Sequence, residues 1–114
     1  MTRNFINTTP HVLNFRDADG NEFEVKPCGF LLNATVVENF EGLRNGVIIC
    51  KTFFVGDSEG EAWLAKQSPD AIIIGSIIAA QAYPGKVLAL TPAPGFERVP
   101  VEKKRMNPNK FTTF

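Results

Sequence analysis

Histidine is nearly absent from this chain: among 114 residues there is one, His11, alongside two cysteines, one tryptophan and one tyrosine. A lone imidazole excludes a multi-histidine metal site and leaves Cys28, Cys50 and scattered carboxylates as poor substitutes. The cysteines form no CxxC and are too few for a disulfide scaffold; in their apolar settings they read as reduced, buried thiols, a single disulfide being the alternative. Net charge is also absent, because twelve Lys and Arg balance twelve Asp and Glu. Such a chain has no general pull toward nucleic acid or an acidic membrane, and little electrostatic resistance to forming a homo-oligomer. No run of ~18 apolar residues occurs, and the first residues lack an apolar stretch of signal-peptide length, so the expectation is a protein that stays in the cytoplasm. Nor is there a Gly-x-Gly-x-x-Gly, a P-loop, a nucleophile elbow, an internal repeat or a low-complexity tract, and no cofactor is implied.

What is present is an ordinary globular balance, 44% hydrophobic and 21% charged residues, enough for one domain with a real core. We place that domain at residues 1–101 and read the basic, polar residues 102–114 as an extended tail. The densest pattern lies at residues 70–91. Ile72, Ile73 and Ile74 are a β-branched run too short for a helix. Ser76 is a good N-cap for a helix through Ala82, Pro84-Gly85 stops it, and Val87 to Leu90 is a second apolar run. This spells a small strand–helix–strand unit with parallel strands.

Ahead of it, His11 to Arg16, the Asp19-Gly20 turn and the strict alternation of Glu22 to Lys26 predict a β-hairpin with Phe23 and Val25 toward the core. Phe30 to Val37 and Gly46 to Val55 read as further strands separated by a loop at 39–45. Ser58 and Glu61 fit a capping box opening one or two helical turns, which Gly60 weakens. Phe96 to Val101 reads as a last edge strand. The fold class is therefore α+β, a mainly antiparallel mixed sheet with one or two short helices.

Asn7-Thr8-Thr9-Pro10-His11 resembles the Asn-x-Thr-Pro-His signature of a family of small phage and prophage proteins. The likeness runs on through Asp19-Gly20, Pro27-x-Gly29, the Gly46 to Thr52 strand and the Ile74 to Ala82 segment, and departs after Ala82. It implies a viral or prophage origin rather than a mechanism.

Weighed residue by residue, His11 reads chiefly as structural, its imidazole bonding nearby main chain. Asp57, Glu59 and Glu61 suit a solvated helix start, and Lys103 to Arg105 a solvated tail. The sharper candidate is Gly75-Ser76: if the apolar runs are parallel, it lies beside Thr91 at the sheet edge where open α/β sheets take ligands. From this we expect a pocket for a small anionic, nucleotide-like molecule lined by Asn7, Thr8, His11, Gly75, Ser76 and Thr91, with Lys51 and Arg98 as the nearest cations. The corresponding function is a non-enzymatic phage accessory protein that sequesters a host defence signal. The alternatives are a protein-contact inhibitor or structural, virion-associated oligomer, suggested by ten phenylalanines, and a small hydrolase. The nearly all-apolar helix from Ile77 to Tyr83 would sit at or near the oligomer interface.

Overall fold

The β-branched run becomes a strand, β6 (Ala71–Ile74), paired parallel to β1 (Asn4–Asn7) with Asn4 opposite Ala71 and Asn7 opposite Ile74. The computed structural model describes residues 3–114; Met1 and Thr2 lie outside it. After β6 the Ser76 hydroxyl accepts from the Ala79 N–H at 3.0 Å and caps helix α2 (Ile77–Ala82). The chain then returns parallel to β6. Gly75 N–H donates to Leu88 O and Leu88 N–H to Ile73 O, at 3.0 and 2.8 Å. The expected strand–helix–strand unit therefore forms, although its parallel contact is one bridge, Ile74 to Leu88. A helix of six residues is too short to span a full crossover, and β7 (Ala89–Pro92) goes on into another sheet.

That sheet has the order β3-β2-β8-β7. The hairpin of β2 (Leu13–Arg16) and β3 (Glu22–Val25) is as expected, closed by Asp17, whose carboxylate accepts from the N–H groups of Asp19 and Asn21. Phe15 is fully buried and stacks on Phe5 and Phe23 at 5.6 and 5.2 Å between centroids. Phe23 nevertheless stays 40% exposed, because β3 is the sheet's edge. Two expectations need correction. Residues 102–114 are not a tail leaving the body, because β8 (Met106–Thr112) runs between β2 and β7. Its polar composition hid this; half-buried Met106, buried Pro108 and half-buried Phe111 carry it. Phe96 to Val101 is no strand: Gly95 takes a φ of 86° and the chain turns into a short 3-10 segment, Val101–Lys103.

Glu22 links the hairpin to the start of β8. Its carboxylate meets Arg16 at 3.0 Å and Arg105 at 3.3 Å, and the hydrogen bond from Arg16, then that from Arg105, holds its pKa below the usual glutamate value. A depressed carboxylate contributes stability above its unfolded pKa and loses it as pH falls through the folded one. Wild-type protein should accordingly lose stability on acidification below the ordinary glutamate range, and Glu22→Gln should flatten that part of the pH profile in urea titrations. Parallel profiles would mean the pair carries no such coupling. Since the carboxylate is solvent-accessible, the effect is small.

The third sheet is a two-stranded arm. β4 (Ala34–Arg44) pairs antiparallel with β5 (Val47–Gly56), Ala34 opposite Gly56 and Arg44 opposite Val47. The loop expected at 39–45 is thus mostly strand. Asn45 and Gly46, with φ of 50° and 80°, form a two-residue turn of the kind that matches strand twist, and a bulge between Phe40 and Gly42 hid the alternation. The arm is rooted on Tyr83. Its hydroxyl accepts from Asp57 N–H at 3.0 Å and donates to Asn33 O at 2.8 Å, tying both ends of the hairpin. A Cβ at Gly56 would overlap the Tyr83 ring, and one at Gly60 would meet its hydroxyl. This explains a glycine inside α1 (Ser58–Ala65), a helix capped by Asp57 rather than Ser58. The core beneath comprises Leu64, Ile73, Ala79, Ala80, Ala82, Tyr83, Val87 and Ala89.

Candidate functional site

The Asn7-Thr8-Thr9-Pro10-His11 turn is built around a buried amide. Asn7 Nδ2 donates to His11 O and Val25 O at 2.6 and 3.1 Å, while Oδ1 accepts from the Thr9 N–H and hydroxyl. Its carbonyl takes Cys28 N–H. Thr8 reaches the other way, its N–H and its hydroxyl both donating to Ile74 O. The motif that drew attention in the sequence therefore joins β1, the hairpin and β6. His11 is exposed, and its main chain, not its imidazole, makes the bonds: the carbonyl accepts and the N–H donates to the Thr9 hydroxyl.

The structure does bring this turn to Ser76. Thr8, Thr9 and Pro10 form one wall of a cleft of about 180 Å³, Ser76 and Ala79 another, and Leu31, Leu32 and Asn33 the third. Gly75 lies behind it, buried, where a Cβ would press on Val87 at 2.7 Å and on the Thr8 hydroxyl at 3.2 Å. Thr91, Lys51 and Arg98 do not line the cleft. Thr91 donates to Lys110 O across the β7–β8 ladder, Lys51 sits on the arm with its ammonium 5.4 Å from the Phe53 ring centroid, and Arg98 is exposed in the turn after β7. The cleft is smaller than the ~300–1,000 Å³ usual for small-molecule sites, and its lining contains no cation.

A larger cleft, about 360 Å³, lies between α1 and the turn at Gly85. Leu64, Ala71 and Ile73 give it an apolar floor, and the Lys86–Glu61 ion pair, 2.6 Å, stands at its rim. Its residues are scattered over positions 61–86, with no short motif to announce them. Both cysteines are exposed and unpaired, which corrects the expectation of buried thiols. The described residues contain no group of three potential metal-binding side chains.

The arm is the most unusual surface. Val36, Val37, Phe40, Leu43, Val47, Ile48, Phe53 and Val55 are all exposed, Phe40, Leu43 and Ile48 about two-thirds so. A two-stranded ribbon standing alone is marginal in water, and exposed apolar surface of this extent is uncommon on a monomeric soluble protein. Sequence reasoning identified strands here but not their exposure. α2 buries Ala79, Ala80 and Ala82 within its own chain but leaves Ile77 and Ile78 exposed where it packs near β5. No described helix is long and apolar enough to cross a membrane. In comparisons with known proteins, no family model, no curated protein and no solved structure matches the chain.

Proposed function

We propose that this protein is non-enzymatic and works through protein contacts, as a structural subunit or an inhibitor, with the β4–β5 arm as the contacting element. The observation that carries this is the apolar exposure along both faces of an arm that packs on the body only at its base. The likeness of Asn7 to His11 to small phage proteins fits such a subunit. Substituting Phe40→Glu and Leu43→Lys together, at the far end of the arm, should leave the thermal melt of the body within a few degrees of wild type. The same pair should abolish any complex in which the tagged chain is recovered from the cells that encode it. Recovery of the wild-type chain alone, as a monomer, would count against the contact reading.

A second reading, sequestration of a small anionic molecule such as a nucleotide, rests on the cleft shared by Thr8, Thr9 and Ser76. The Thr8 hydroxyl is already committed to Ile74 O, and the Ser76 oxygen to Ala79 N–H, so the cleft offers a ligand few polar groups. A nucleotide thermal-shift screen with Ser76→Ala as control separates the two readings: a shift lost in the variant supports the cleft.

A further inference from the structure

The contact reading leaves the arm's partner open, and the arm itself indicates one. Its two-residue turn makes Arg44 and Val47 the first hydrogen-bonded pair, and pairing alternates from there. The odd-numbered residues of β5 therefore turn their N–H and C=O groups to β4. Ile48, Cys50, Thr52 and Phe54 turn theirs to the outer edge, where no further strand pairs among the described residues. The two edges differ. β4 is interrupted by the bulge before Gly42, whose φ is 145°, and carries Glu38 and Glu41. β5 is unbroken over ten residues with Lys51 its one charge. Bulges and charges are the usual guards against strand addition, so β4 is guarded and β5 is open.

Resting on the contact reading, we propose that the β5 edge pairs antiparallel with β5 of a second copy of this chain, giving a four-stranded sheet in the order β4-β5-β5-β4 across a two-fold axis. A strand that pairs with its own copy is self-complementary, as a two-fold interface requires. The zero net charge opposes no such association. Charge also selects the register. An axis at Lys51 would place two ammonium groups directly opposite, whereas an axis at Thr52 places Lys51 across from the second copy's Phe53, a ring it already approaches within its own chain.

The area agrees. The chain exposes 7775 Å², against about 6,200 Å² for a compact monomer of its mass. The excess, about 1,600 Å², exceeds the ~800 Å² per partner of a standard interface. The paired sheet would also place Phe40, Leu43, Ile48 and Cys50 of both copies on one face, since these share a face in the arm's register.

Sedimentation velocity on the purified chain at about 100 µM should show a dimer. In a Cys28→Ser background a bis-maleimide with a spacer of about 14 Å should link Cys50 to Cys50 in high yield, because an axis at Thr52 sets the two cysteines four residues apart along the paired strands. Thr52→Pro removes an outward N–H and should raise the dissociation constant at least tenfold. Should that proline disturb the hairpin, Ile48→Lys, which adds a charge without touching the ladder, should weaken the dimer comparably. A wild-type monomer at this concentration overturns the self-pairing, and so does a dimer that keeps its affinity in both variants with Cys50 unlinked. Neither result bears on an arm-dependent complex with a different protein recovered from cells, which is the separate test of the contact reading.

Discussion

Replacing Asn7 by alanine is expected to cost on the order of 4 kcal/mol of stability, because one fully buried side chain makes four hydrogen bonds and each stranded partner costs about 1–3 kcal/mol. His11 O and Val25 O lose donors, and the Thr9 N–H and hydroxyl lose an acceptor, at a junction of three segments. With typical domain stability of about 5–15 kcal/mol, the melting temperature should fall by roughly 15–20 °C. Asn7→Asp makes a useful companion: it keeps the acceptor for Thr9 and loses both donors, so it should still be severe. Urea titration showing a loss below about 1 kcal/mol for Asn7→Ala would mean that water or relaxation replaces the network.

Tyr83→Phe should be the next most damaging change, and it acts on the arm. The hydroxyl satisfies Asp57 N–H and Asn33 O together, so its removal leaves one donor and one acceptor unpaired at the hairpin's root, at about 1–3 kcal/mol. Hydrogen exchange should then rise throughout Ala34 to Gly56 while β6 stays protected. Equal rates in the arm of variant and wild type would show that the ring alone roots it. Burial, followed by the field of Asp57, raises the phenol's pKa above the ordinary tyrosine value. A group whose folded pKa is raised contributes stability below its unfolded pKa and loses it as pH rises through the folded value. Tyr83 is the chain's one tyrosine, so tyrosinate absorbance reports it alone and should appear above that range together with alkaline unfolding.

How much of this was legible in the sequence differs by segment, for physical reasons. The isoleucine run, the Ser76 cap and the Asp17–Asn21 turn were readable because each depends on neighbours within a few residues. Strand β8 was not: its place between β2 and β7 depends on Phe15 and Leu90, far away in the chain. The arm was half legible, since β-branched and aromatic residues announced strands, but periodicity cannot reveal that no third strand covers them. Of the residues gathered for a ligand site, Thr8 and Ser76 do meet at one cleft. Thr91 was placed by a sheet-edge argument that assumed an open parallel sheet, and Lys51 and Arg98 were added to it as the nearest cations. The chain instead sends β7 to β8 and puts Lys51 on the arm.

The strand order also sets a timetable for folding. β2 meets β8 through Phe15 and Met106, and β1 meets β6 across more than sixty residues, whereas the arm's two strands are joined by two residues. Local pairings form in microseconds, while distant ones must first meet the entropy of closing a long loop. During synthesis, then, the arm can zip up long before the sheet that will support the rest of the domain has its inner strand. The most apolar exposed surface of the molecule is formed while the body is still incomplete, so the self-pairing proposed for β5 would have its strand edge in place before the domain is finished.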